Sequence, residues 1–345
     1  MNYLVLTLVY ILSLGCNSQD NGLKSLAPET NEGAQIGQYV TSVYEDSNGH
    51  LWFGTLQKGM AKYDGNTLKY FTEKDGLPSN RVTSIFEDKE GVFWLMGEQA
   101  LIKFDGEVFT NFFVESDHSN IMISTSLIDS KGIFWIGTWS GVYLFDGAIF
   151  SHFPLPYPEV QTAINKDTKD WITEIHEDAQ GNIWFGRDGY GICIYDGENF
   201  THLLKNDGLN SNNVTEIEID DMGNTWIGLR VAEKDNPDAS KRYGKGGVNK
   251  LANNTIHSFP EIEGLYTDDV YGIYKDHTGH VFVGTGKHGM YQYDGNEFHH
   301  YEIPISIMDM MYDKKGNLWL AGAGGLYKID TNGTLINITQ EGPWD

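Results

Sequence analysis

The sequence predicts an all-β fold arranged as a ring of repeated sheets, and three observations carry the prediction. A unit of Asp-x-x-Gly followed by a run such as Leu-Trp-Phe-Gly recurs seven times. Its bulky aromatic falls at Trp52, Trp94, Trp135, Trp184, Trp226, Phe282 and Trp319. The mean interval of about 44 residues is the length of four strands with their turns. The composition agrees, because 40 glycines and 13% aromatic residues against 9 prolines suit many strands joined by tight turns. Seven such units predict a seven-bladed β-propeller with four antiparallel strands per blade.

Each unit reads as strands A to D. Strand A is the Val40-Thr41-Ser42-Val43-Tyr44 type of run, alternating with period 2. An Asp-x-x-Gly turn follows in every copy: Asp46/Gly49, Asp88/Gly91, Asp129/Gly132, Asp178/Gly181, Asp220/Gly223, Asp276/Gly279 and Asp313/Gly316. Aspartate can accept backbone N–H groups in such a turn, and glycine takes the positive φ that closes it. Strand B, Leu51-Trp52-Phe53 in the first copy, is apolar on both sides. That pattern suits a strand buried on both faces, with the tryptophan packed between neighbouring blades. Strands C and D are joined by Asp-Gly at Asp64, Asp105, Asp146, Asp196 and Asp294, a hairpin signal. Copies five and seven depart here, with Asn253-Asn254 and Asp330 to Gly333. Leu335 to Ile338 reads as the last D strand.

Charge and cysteine content exclude several functions. Lysine plus arginine is 24 against 48 acidic residues, a formal charge of −24. Nucleic acid is therefore excluded as a partner, since phosphate binding needs a basic face. Two cysteines exclude a disulfide framework and a cysteine-based zinc site. Cys193 lies in an apolar strand-like run and reads as a buried, inert thiol. Residues 1–15 read as a lipoprotein-type signal peptide: an uncharged apolar stretch ends in Ser13-Leu14-Gly15-Cys16, similar to a bacterial lipobox. Cys16 is the expected lipidation site, residues 16–38 a flexible tether, 39–340 the propeller and 341–345 a short tail. Membrane association is expected only through that anchor.

The unit Glu-Asp-x-x-Gly-x-Leu-Trp-Phe-Gly-Thr with a later Tyr-Asp-Gly resembles the two-component regulator propeller repeat. Glu45 to Gly65 and Glu177 to Gly197 match best, and Asp75 to Asn80 and Asp207 to Asn212 are similar to the linkers of that family. The resemblance implies a periplasmic or surface ligand-sensing propeller, with glycan-derived ligands and a sensor kinase as typical associates. This chain shows no kinase or receiver region after its seventh copy, so a separate sensor kinase or other envelope protein is the expected partner. A second seven-bladed family, the streptogramin lyases, shares similar strands and uses a magnesium-dependent His/Glu centre. That leaves a propeller lyase as the alternative, and a protein-docking scaffold as a third.

Topology assigns the site to one face. The A–B and C–D turns lie on one side and are short and repetitive, whereas the B–C and D–A loops lie on the other and vary. The largest insertions, 155–169 and 230–245, fall on the variable side, where binding usually resides. The candidate ligand-binding residues there are Trp139, Arg187, Tyr190, Arg230 and His288, suited to stacking on a sugar or clamping a carboxylate. Trp171 and Tyr271, at the starts of A strands, are candidates for the channel lining. The Asp-x-x-Gly turns lack the dense acidic series of a calcium loop. No metal, catalytic residue or cofactor is expected.

Overall fold

In the computed structural model of the chain, the residues described are 36–113, 121–159, 169–231 and 245–341. The signal peptide, Cys16 and nearly all of the tether lie outside them, as do the tail residues 342–345 and the middles of both large insertions. Seven four-stranded antiparallel sheets form the molecule, each made of four consecutive strands of one copy. Blade 1 shows the pattern, with strands Val40–Glu45, Leu51–Thr55, Met60–Tyr63 and Leu68–Phe71. The innermost strands of the seven blades are Val40–Glu45, Val82–Glu87, Ile123–Ile128, Ile172–Glu177, Val214–Ile219, Val270–Lys275 and Ser306–Tyr312. They surround the channel, and at six joints the A strands of adjacent blades pack against one another. Between blades 2 and 3 that packing is nearly absent.

The Asp-x-x-Gly aspartate does more than shape a turn. In blade 5, Asp220 Oδ1 accepts the amides of Met222 and Asn224, while Oδ2 accepts the Trp226 indole N–H at 3.0 Å. The same indole bond recurs from Trp52, Trp94, Trp135, Trp184 and Trp319 to the aspartate six residues earlier, at 2.8–2.9 Å. With both oxygens occupied, these turns are structural. Burial works to raise the Asp220 carboxyl, but Asn224, the Trp226 indole and the turn amides outweigh it and hold it below the usual carboxylate range. Blade 6 has Phe282 instead, and there Thr278 and His280 supply Asp276 with donors.

The repeated tryptophans pack across the joints, as the double-sided burial of strand B requires. Trp52 of blade 1 meets Val82, Ile85, Phe93 and Leu95 of blade 2. Every residue of Leu51–Thr55 is buried, and the corresponding strands match it. The departing hairpin of blade 5 turns on Asn253 and Asn254 at φ 49° and 59°, the left-handed pair that a two-residue primed turn needs. Cys193 is buried, and burial pushes its thiol up to about 11, away from the reactive thiolate form.

The ring closes without exchanging a strand. The last blade keeps its own D strand, Leu335–Asn337, and Ile338 begins a short helix, Ile338–Glu341. Ile36, Val40 and Phe53 pack against Trp319, Ala321, Leu326 and Ile338 across the closing joint. Tyr39 bridges Ala323, and the Gly324 amide donates to Gln38. Ile36 is only 1% exposed, so ring packing already includes a residue read from sequence as tether. Its apolar side chain is covered only once the seventh blade is in place, which no local pattern reveals.

Candidate functional site

The variable face is built on one backbone device. In five blades the first B–C loop residue donates its amide to the residue before strand A: Leu56 to Tyr39, Trp139 to Met122, Asp188 to Trp171, Arg230 to Asn213 and Gly286 to Asp269. The bond is constant while the side chains change from blade to blade. This is how a repeated scaffold presents a non-repeated surface.

Blades 3 to 6 bring the richest set together. Trp139, 36% exposed, stacks on Trp171 with ring centroids 4.7 Å apart. The Arg230 guanidinium lies 5.4 Å from the centre of the Trp171 ring and pairs with Asp188. Tyr271 donates to Asp269 at 2.8 Å, and burial together with that carboxylate pushes its phenol up. Three buried donors on this side, Trp171 Nε1, Arg187 Nε and Arg230 Nε, have no acceptor among the described residues. Buried donors are rarely left unpaired in folded proteins.

The five sequence-predicted residues divide into three groups. Trp139 and Arg230 meet through Trp171. Arg187 and Tyr190 belong to a second cluster, in which the Arg187 guanidinium sits 4.8 Å from the Tyr157 ring and 4.7 Å from the Tyr190 ring. Arg187 is 2% exposed and donates to the carbonyls of Pro156 and Lys169, tying together the two ends of an insertion. Burial lowers its pKa, with Asp170 and Tyr190 acting in the opposite direction. His288 stands apart in blade 6. Its Nδ1 lies 3.0 Å from Asp268 Oδ2, which also accepts the Lys287 and His288 amides.

Sequence reading missed the channel acids. Glu174, Glu216 and Asp309 occupy the A-strand position held by Ser42, Ser84 and Thr125 in blades 1 to 3. Burial pushes Asp309 up to about 6, against the donors Val43 and Met310. Burial also raises Glu216, and Glu174, Glu218 and Asp309 add to it. Glu218, nearer the turn face, is pushed up to about 7 by burial despite Lys275. The available signal was the change from Ser/Thr to Glu/Asp at one repeat position. Elsewhere, Asp294, Glu297 and His299 form an exposed group with ligand atoms within 4.8 Å, in a turn where Asp294 already accepts the Asn296 and Glu297 amides.

Comparison with known proteins fits this architecture. Residues 35–57 and 76–99 match the model of the two component regulator propeller, and the chain carries repeats of that family. No curated protein matches it. Among solved structures, it is similar to the extracellular domain of a protein named as a hybrid two component system from B. thetaiotaomicron. The TM-score is 0.68 at 21% identity, over 88% of this chain and 40% of that one. A second such extracellular domain from B. thetaiotaomicron gives 0.59 at 17% identity, over 88% and 49%. Virginiamycin B lyase from Staphylococcus aureus gives 0.63 at 11% identity, over 84% and 93%. At these identities the likeness is one of fold. The chain spans less than half of either extracellular domain. No helix among the described residues is long and apolar enough to cross a membrane.

Proposed function

We propose that this protein is a ligand-binding, sensing propeller of the cell envelope, working with a separate signalling or envelope partner. Its ligand docks on the variable face over Trp139, Trp171 and Arg230. The observation that carries the reading is the partly exposed Trp139–Trp171 stack beside an arginine, with the Trp171 Nε1 and Arg230 Nε donors left without an acceptor among the described residues. A flat apolar platform beside unpaired donors suits a sugar ring, which offers an apolar face and many acceptors. Tyr190 and His288 lie outward as further contacts, and Arg187 supports the loop ends from below. The likeness to extracellular domains of two-component systems supports an envelope location and a sensing role.

A thermal-shift screen of the protein against neutral and uronic-acid oligosaccharides, with and without magnesium, tests this. Binding should fall at least tenfold in Trp139→Ala. If no oligosaccharide raises the melting temperature at millimolar concentration, the sugar reading fails. Anchoring through Cys16 belongs to the same proposal; Cys16→Ala should move the protein from membrane to soluble fractions, and unchanged fractionation would contradict the anchor.

A further inference from the structure

A second site is suggested on the opposite face, at the joint of blades 2 and 3, which lacks a clamp that both adjoining joints have. The joints whose A strands end in Ile219, Lys275 and Tyr312 also lack that carboxylate, but they keep their A strands packed together. At the joint of blades 1 and 2, Glu87, the last residue of its A strand, accepts the Ser47 amide and hydroxyl at 3.0 and 3.1 Å. At the joint of blades 3 and 4, Glu177 does the same for Ser130. At the closing joint Glu45 accepts the Lys314 amide. In each case a carboxylate from one blade binds the amide that follows the turn aspartate of the blade before it.

Between blades 2 and 3 the equivalent donor is the Lys89 amide and the equivalent acceptor position is Ile128. Three features coincide there. The carboxylate is missing, and the Lys89 amide has no protein acceptor among the described residues. The two A strands do not pack as they do at the other joints. The Thr83 hydroxyl turns back to Met96 of its own blade, whereas Thr41, Ser124 and Thr215 donate to the first A-strand carbonyl of the next blade. A cavity of about 570 Å³ opens in the gap, within the usual range for small-molecule sites. Phe86, Leu127 and Ile128 give it apolar wall, and the Ser126 hydroxyl in it is buried without a partner.

We propose that this groove binds a small aliphatic carboxylate, which supplies the acceptor that Ile128 cannot. The carboxylate accepts the Lys89 amide, with the Lys89 ammonium beside it, and the chain lies along Phe86, Leu127 and Ile128. Acidic neighbours do not forbid this. Glu87 is engaged by Ser47, and Asp88 and Asp129 are spent on Trp94, Trp135 and their turn amides. The molecule already holds Glu87 and Glu177 in the same setting beside turn aspartates. Those bonds leave the charges in place, and the Lys89 ammonium is the one cation among the lining residues that offsets them.

The experiment titrates hexanoate, N-acetyl-leucine and hexanamide into the full chain, following the Lys89 amide by NMR with labelled lysine and the affinity by calorimetry. Both carboxylates should shift that amide saturably, with hexanamide at least tenfold weaker; the stronger of the two carboxylates tells a fatty chain from a peptide C-terminus. Lys89 is the second residue of a turn closed by Gly91 to Asp88, a position where proline is accepted. Lys89→Pro, which deletes the amide, should weaken binding at least tenfold, while Lys89→Ala should stay within about threefold. Ile128→Glu should rebuild the clamp, raise the melting temperature and abolish binding. The proposal is overturned if neither carboxylate binds by 20 mM (about the weakest useful affinity), or if hexanamide binds equally. Undiminished binding to Lys89→Pro overturns it too, even if Ile128→Glu does not fold.

Discussion

Removing the Asp220 carboxylate should strand the Trp226 indole, and a double-mutant cycle measures the cost. Trp226 is fully buried and Asp220 is 5% exposed. In Asp220→Ala the fully buried indole N–H loses its acceptor at 3.0 Å. An orphaned buried donor costs about 1–3 kcal/mol. The Met222 and Asn224 amides lose a cap but lie in an exposed turn, adding about 1 kcal/mol. The total of roughly 3 kcal/mol corresponds to a fall in melting temperature of about 5 °C for a propeller of this length. Trp226→Phe removes the donor instead and leaves the carboxylate with its Asn224 and amide partners. In the double variant the remaining groups no longer need each other. The two effects should then sum to about 1.5–3 kcal/mol more than the double variant costs. Urea unfolding of the four proteins reads this directly. Additivity within about 0.5 kcal/mol would refute the claim that the indole bond is what fixes this aspartate in every tryptophan-bearing blade.

Two further predictions follow from buried charge. Asp220 and its counterparts Asp46, Asp178 and Asp276 are held below the usual carboxylate range, so their contribution is fully present above pH of about 4 and is lost as pH falls from there through their depressed folded values. The channel acids run the other way. Glu216, Glu218 and Asp309 are raised, so stability declines as pH rises from about 4 through their folded values, near 6 for Asp309 and 7 for Glu218. The melting temperature should therefore be higher at pH 5 than at pH 8, and Glu216→Gln should raise it at pH 8 but scarcely at pH 5; a flat profile would contradict the buried-acid account. Arg187→Leu should release the carbonyls of Pro156 and Lys169, and limited trypsin digestion should cut after Lys169 several times faster, with unchanged cleavage counting against the tie.

Much of the fold was legible because its signals are local and repeated. Asp-x-x-Gly turns, Asp-Gly hairpins and doubly apolar B strands each act within a few residues, and seven copies make the pattern unmistakable. The indole bond was legible in principle, since aspartate and tryptophan keep a constant separation of six, yet turn chemistry alone accounted for the aspartate. The candidate face was legible only as loops that vary. That Trp139 would find Trp171, that Arg187 would turn inward to bind Pro156 and Lys169, and that His288 would pair with Asp268 depend on neighbours brought together by the ring.

The sequence by itself determined the number of blades, their strand order and which loops share a face, because turn geometry and strand burial are properties of short segments. Tertiary structure alone decided how the ring closes, where acids gather in the channel and which joint stays open. Each of those rests on contacts between blades, from about 44 residues apart in the chain to the 266 that separate Val43 from Asp309 across the closing joint. Ile128 shows the difference. In its own strand it is an ordinary β-branched residue, and only beside the Lys89 amide of the preceding blade does it become a missing carboxylate.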